Sequence, residues 1–135
     1  MMIEKPTPKT GIRRIWAALF HSLDGLRAVF AGEAAFRQEL FLVVVATAAL
    51  PFLPLSFTWK GILFLATAGV LVIELLNSAI ESVVDLVSPE YHPLAGRAKD
   101  AGSAAVLLGI LIAGVLWAMA IGVMLFPDIL SAATS

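Results

Sequence analysis

Residues 61–87 read GILFLATAGVLVIELLNSAIESVVDLV, and they give the clearest indication of the fold class. It is long and apolar enough to cross a bilayer, which takes about 20 predominantly apolar residues. Similar stretches predict a first span over residues 33–55 and a third over residues 101–126. Because single segments cross lipid as helices, which satisfy their own backbone groups, the sequence predicts an all-α membrane protein with three transmembrane helices.

The composition supports lipid as the solvent. Of the 135 residues, 60% are hydrophobic and only 14% are charged, whereas soluble domains carry about 25% charged residues. The formal net charge of -1 offers no basic surface, so we expect no nucleic-acid partner. The absence of cysteine excludes disulfides, thiolate metal sites and cysteine nucleophiles. We therefore expect a single membrane domain over residues 1–135.

The part of the chain before the first span divides in two. Residues 1–10 contain prolines and charges and predict a flexible lead-in. Over residues 11–31, apolar side chains recur every three or four positions, with basic side chains between them. Such a pattern is typical of an amphipathic helix in the membrane interface, and the alternative is a helix packed on other protein.

The basic residues predict the orientation. Of the nine, only Lys60 lies beyond the first span on the far side. The others precede that span, lie in its opening segment 33–39 or fall in the predicted loop 88–100. Basic loops stay in the cytoplasm. We therefore expect a multi-pass protein of the bacterial inner (cytoplasmic) membrane, with the N-terminus in the cytoplasm and the C-terminus outside.

The second span carries polar residues on one face. Glu74, Asn77, Ser78, Glu81 and Asp85 recur at helical spacing, so they share one stripe. A charged side chain at mid-bilayer costs about 2.5–3.5 kcal/mol on insertion scales, which makes such a stripe a candidate functional site. For Asn77 and Ser78, hydrogen bonds between helices explain the pattern equally well. For Glu74 and Glu81 we expect a divalent cation, because hard oxygen ligands suit magnesium.

Two further polar clusters lie on the predicted cytoplasmic side. Residues 33–39 open the first span, and Glu33 and Arg37 are spaced to pair along a helix. In the predicted loop 88–100, Pro93 and Gly96 indicate a turn, and Lys99 can offer its charge to a phosphate or extend to the membrane surface. Together the clusters match the needs of phosphoryl transfer, although there is no P-loop and the substrate is not specified.

Three segments resemble the prokaryotic diacylglycerol kinases over about residues 11–126. They read EAAFRQE from Glu33, ELLNSAIE from Glu74 and GRAKDAGSAAV from Gly96. The resemblance implies ATP-dependent phosphorylation of diacylglycerol to phosphatidic acid, with Mg2+ as the cofactor. It also implies a homotrimeric bundle whose active sites are shared between neighbours.

The resemblance also implies roles for individual residues. Glu74 is expected to be the general base, Asn77 to support Glu74 and Glu81, and Glu33 and Glu81 to bind magnesium on ATP. The residues expected to bind ATP are Arg14, His21, Glu33, Glu81, Glu90, Tyr91, His92, Lys99 and Asp100. Those expected to bind the lipid are Arg14, Glu74, Ser103 and Trp117. Gly32, His21 and Asp24 depart from the best-known members, which bears on nucleotide affinity.

Three alternatives remain at this stage. A sister branch of the family phosphorylates undecaprenol, although the segment from Glu33 to Glu39 favours the diacylglycerol branch. A proton or cation relay would also place carboxylates in a membrane, but it predicts polar residues across the whole bilayer, and the outer halves of the spans are apolar. A non-catalytic assembly subunit would use the stripe only for helix packing.

Overall fold

A computed structural model describes residues 11–126, and within that range the chain is helical, with no strand. The helices are α1 (Ile12–Gly32), α2 (Ala34–Ala49), α3 (Phe57–Val87) and α4 (Pro93–Leu125), with a 3-10 turn at Leu50–Phe52. Three helical stretches are long and apolar enough to cross a membrane: Ala34–Phe52, Phe57–Val87 and Pro93–Leu125. The predicted all-α fold with three spans is confirmed, and the predicted lead-in over residues 1–10 lies outside the described residues.

A sharp break at Glu33 separates α1 from α2. Glu33 has extended backbone angles (φ -107°, ψ 115°), so it belongs to neither helix. Across the break, Arg37 Nη1 donates to the carbonyl oxygens of Phe30 (2.8 Å) and Ala31 (3.2 Å). The last carbonyls of a helix lack helical partners, so these bonds complete the end of α1. The alternative pairing of Arg37 with Glu33 is not formed among residues 11–126.

Helix α1 has the amphipathic sequence but no buried residue in this chain. Its aromatic side chains contact each other, with the ring centres of Trp16 and Phe20 6.4 Å apart. The apolar face is therefore available to lipid or to another chain, and its location in the membrane interface stays a prediction.

Helices α3 and α4 form the main packing interface. Small residues of α4 are buried there, among them Gly102, Gly109 and Ala113, and small residues let helix backbones approach closely in membranes. Further along, Trp117 Nε1 donates to Thr67 Oγ1 (2.9 Å), and that hydroxyl donates to the carbonyl of Leu63 (2.6 Å). The interface thus contains both close packing and a hydrogen bond between the helices.

Helix α4 begins earlier than the sequence analysis expects. Residues 93–100 are helical rather than part of a loop, and Gly96 lies inside the first turns. Pro93 occupies a first-turn position, where its missing N–H costs nothing. The Nδ1 atom of His92 caps the helix by accepting from the backbone N–H of Leu94 (3.2 Å). The expectation of a turn at Pro93 and Gly96 was wrong because a proline can begin a helix as readily as it ends one.

The other span boundaries also shift. Helix α3 begins at Phe57 rather than at 61, because Ser56 Oγ caps it by accepting from the backbone N–H of Trp59 (3.3 Å). In the first span the α-helix ends at Ala49, and the 3-10 turn continues it only to Phe52 rather than to 55. Pro51 lacks the N–H that would continue the α-helical ladder.

Candidate active site

One cavity of about 360 Å³ collects polar side chains from the break before α2 and from helices α2, α3 and α4. It contains four carboxylates in an otherwise apolar bundle. The lining residues are Glu33, Ala35, Glu39, Glu74, Asn77, Glu81, Ser103, Val106, Leu107 and Ile110. We call this the carboxylate cavity.

Helix α3 buries the first part of its polar stripe and exposes the last part. Glu74 is only 5% exposed, and Asn77 and Ser78 are also buried, because this face of α3 packs against the neighbouring helices. Asn77 Nδ2 donates to Glu81 Oε1 (3.2 Å), one turn further along the helix. The predicted support of Glu81 by Asn77 therefore corresponds to a direct contact.

Two buried oxygens in the cavity have no hydrogen-bond partner among residues 11–126. They are Asn77 Oδ1 and Glu39 Oε2. A buried acceptor without a partner is costly and is rare in native structures, so such atoms point to a missing donor or cation. Because Asn77 Oδ1 faces the backbone of Gly102, Glu39 Oε2 is the one of the two that can accept from a bound donor or cation.

The donor set fits magnesium that arrives with phosphates. In the described part of the chain, no three Asp, Glu, His or Cys side chains are close enough to form a complete metal site. Magnesium in phosphate-transfer sites commonly uses one or two carboxylates and completes its octahedron with phosphate oxygens and water. Glu33 and Glu81, which line the same cavity, meet that requirement.

A second cavity, also of about 360 Å³, lies where α3 ends and α4 begins. It brings together five of the residues expected to bind ATP: Glu90, Tyr91, His92, Lys99 and Asp100. Asp85 and Ser88 line it as well, and Lys99 forms an ion pair with Asp85. We call this the loop cavity.

The predicted polar stripe on α3 thus lines two different cavities. Glu74, Asn77 and Glu81 line the carboxylate cavity, whereas Asp85 lines the loop cavity. A helix rises about 1.5 Å per residue, so Glu74 and Asp85 are about 16 Å apart along the axis. Asp85 therefore acts on Lys99 and belongs to a different group from the other carboxylates.

Three predicted site residues lie outside both cavities of this chain. Arg14 and His21 are exposed on α1 and line neither cavity. Trp117 is half-buried beside α3, and its indole N–H is occupied by Thr67. Ser103, by contrast, lines the carboxylate cavity, and its contact with the lipid stays a prediction.

Glu39 lines the candidate site, although the sequence pattern did not single it out. It lines the carboxylate cavity together with Ala35, one turn before it on α2. The available signal was its position as the last charged residue before the apolar run that starts at Leu40. That position makes it the deepest carboxylate of its cluster, where a charge needs a partner.

Comparison with known proteins identifies the family. The family described as "Prokaryotic diacylglycerol kinase" matches residues 20–121. A protein named "Diacylglycerol kinase" from Escherichia coli is 46% identical over 108 residues, covering 80% of this chain and 88% of that protein. The Pseudomonas aeruginosa protein of that name is 44% identical over 116 residues (84% and 94%). The one from Helicobacter pylori is 40% identical over 114 residues (84% and 89%). The chain belongs to the prokaryotic diacylglycerol kinase family.

Proposed function

We propose that this protein transfers the γ-phosphoryl group of ATP to the free hydroxyl of diacylglycerol, giving phosphatidic acid at the cytoplasmic surface of the inner membrane. The observation that carries the proposal is the carboxylate cavity, in which Glu33, Glu74, Asn77 and Glu81 meet between three helices. The relatives named diacylglycerol kinase, which match most of the chain, support the choice of substrate.

Glu74 is the proposed general base. Its carboxylate takes the proton of the lipid hydroxyl while that oxygen forms a bond to the γ-phosphorus, and the bond from the γ-phosphorus to the β–γ bridging oxygen breaks to release ADP. Burial of Glu74 suits this role, because a base kept from bulk water can meet a lipid hydroxyl. Ser103 lies across the same cavity, where its hydroxyl can orient the lipid.

Glu33 and Glu81 are the proposed magnesium ligands. When bound, the metal would neutralise negative charge on the ATP phosphates. The two side chains come from different places in the fold, one at the break before α2 and the other on α3. The Asn77 amide donates to Oε1 of Glu81 and so orients this carboxylate. The other oxygen, Oε2, would remain for the metal.

The loop cavity is the proposed nucleotide site. It offers the aromatic ring of Tyr91, the imidazole of His92 and the cation of Lys99. Both cavities lie between the later part of α3 and the first part of α4, the end of the bundle that the basic residues assign to the cytoplasm. In this proposal the nucleotide enters the loop cavity from the cytoplasm, its phosphates extend along α3 towards Glu81, and the lipid reaches Glu74 from the bilayer.

A coupled assay on purified protein in mixed micelles tests the proposal. Magnesium-ATP is offered with dioleoylglycerol or with undecaprenol, and Glu74→Gln serves as the matched control. We expect phosphatidic acid from the wild type and none from the variant. Phosphorylated undecaprenol alone would contradict the substrate while keeping the mechanism, and a folded wild type that phosphorylates neither lipid would contradict the kinase.

A further inference from the structure

Gly102 of α4 lies directly against the side chain of Asn77. A methyl group built on Gly102 would overlap Asn77 Oδ1 and would lie 3.3 Å from Cγ, closer than such contacts normally allow. The same methyl would lie 4.0 Å from the Cα of Asn77, which is an ordinary contact. The helices therefore have room for a side chain at this position, but the Asn77 amide in its present orientation does not.

That orientation is the one that reaches Glu81. A carboxylate only accepts hydrogen bonds, so the amide must present Nδ2 to Glu81 and turn Oδ1 away from it. In the structure Nδ2 bonds Glu81 Oε1 at 3.2 Å while Oδ1 faces the backbone of Gly102. We therefore expect a larger residue at 102 to displace the amide and break its bond to Glu81.

We propose that Gly102 is a positioning residue, whose missing side chain keeps the Asn77 amide on Glu81 and so holds that carboxylate ready for magnesium-ATP. The inference rests on the proposed function for the role of Glu81. It adds a residue of a different helix to the site, since α4 enforces the geometry of two side chains on α3.

Gly109 provides a comparison for the effect of helix packing alone. Gly109 is also buried on α4 and faces α3, and a methyl group there would meet Ile73 Cδ1 at 2.8 Å. That atom is the free end of a flexible apolar chain, which can rotate without breaking a hydrogen bond. Gly109→Ala is therefore a matched control with the same change, helix and partner helix.

Binding of magnesium-ATP to purified protein, measured by calorimetry, is the first readout. We expect Gly102→Ala to weaken binding about 10- to 100-fold, the usual range for losing a group that orients a metal ligand. Gly109→Ala should bind like the wild type. In the lipid assay, the loss in Gly102→Ala should appear mainly as a raised KM for magnesium-ATP. Wild-type affinity in Gly102→Ala, or equal losses in both glycine variants, would overturn the proposal.

A double-variant cycle tests whether Gly102 acts through Asn77. Asn77→Ala removes the amide that the new methyl would meet, so adding Gly102→Ala to it should weaken binding no further. Additive losses would overturn the proposal. If Gly102→Ala alone does not fold, the comparison is between Asn77→Ala and the double variant, and an unfolded or weaker-binding double variant would overturn it. Failure of the proposed function would show separately, as a wild type that forms no lipid phosphate.

Discussion

Glu74 and Glu81 stand two turns apart on one face of α3, yet their surroundings differ. Glu74 is buried and makes no side-chain hydrogen bond among residues 11–126, whereas Glu81 is half-buried and accepts from Asn77. A base must be free to accept a proton, while a metal ligand benefits from being held in place. The two environments therefore match the two roles proposed for them.

Exchanging each carboxylate for its amide separates these roles. Glu74→Gln should lower turnover by at least about 100-fold, the contribution of a general base, and should keep the affinity for magnesium-ATP. Glu81→Gln should weaken that affinity as well, because it removes an anionic ligand. Calorimetry measures the affinity for magnesium-ATP, and the lipid assay measures turnover, in both variants. Equal loss of nucleotide affinity in the two would contradict the assignment.

At the scale of the elements, the α3–α4 pair carries the site and must keep its register. The two helices bury small residues at their crossing and are joined by the hydrogen bond from Trp117 to Thr67. Leu50, Leu63 and Ala120 form an apolar cluster at the end of the bundle away from the cavities. We infer that this end holds the pair together while the other end performs the chemistry.

The Thr67 hydroxyl offers a test of that division. Thr67→Val keeps the shape but removes the acceptor of the Trp117 indole N–H, so we expect a loss of about 0.6–1.7 kcal/mol of stability, typical of hydrogen bonds between membrane helices. Unfolding by detergent measures it. Thr47→Val is the control, because Thr47 on α2 is also half-buried and makes no side-chain hydrogen bond within the described range. Equal stability of the two variants would contradict the inference.

At the scale of the whole molecule, a single chain does not bring all the predicted site residues together. Arg14 and His21 line neither cavity of their own chain. Many large apolar side chains are exposed, including Trp16 and Phe20 on α1. Such surface faces lipid or another chain, and a homotrimer in which α1 completes a neighbour's site stays a prediction.

Mixed oligomers test the shared site. Arg14→Ala and Glu74→Gln chains, each with low activity alone, are expressed together with different tags, and the mixed species is purified through both tags. We expect activity to return, because one site can combine Arg14 from one chain with Glu74 from another. Tandem purification without recovered activity would show instead that each chain uses its own Arg14.

The absence of cysteine allows a clean test of orientation. Pro54 and Pro89 are exposed in the connections at opposite ends of α3. In intact spheroplasts, an impermeant maleimide should label Pro54→Cys but should label Pro89→Cys only after the membrane is opened. The reverse pattern would place the active site on the outer face.

The sequence alone determined the helical class, the three spans and the main carboxylates. Lipid permits few structures for a spanning segment, so hydropathy predicts the spans. Charges are costly in that setting, so Glu74 and Glu81 were identifiable from their positions. The motifs around Glu33, Glu74 and Gly96 predicted the family that the comparisons confirm.

The contacts between the helices, by contrast, follow from the tertiary structure. The early start of α4, the separation of Asp85 from the other carboxylates and the place of Glu39 depend on the bounds and packing of particular helices. The contact of Gly102 with Asn77 depends on them most closely, since a shift of one residue would put another side chain against the amide. Periodicity assigns each residue to a face of its own helix, but contacts across helices depend on rotation and axial register, which packing alone determines.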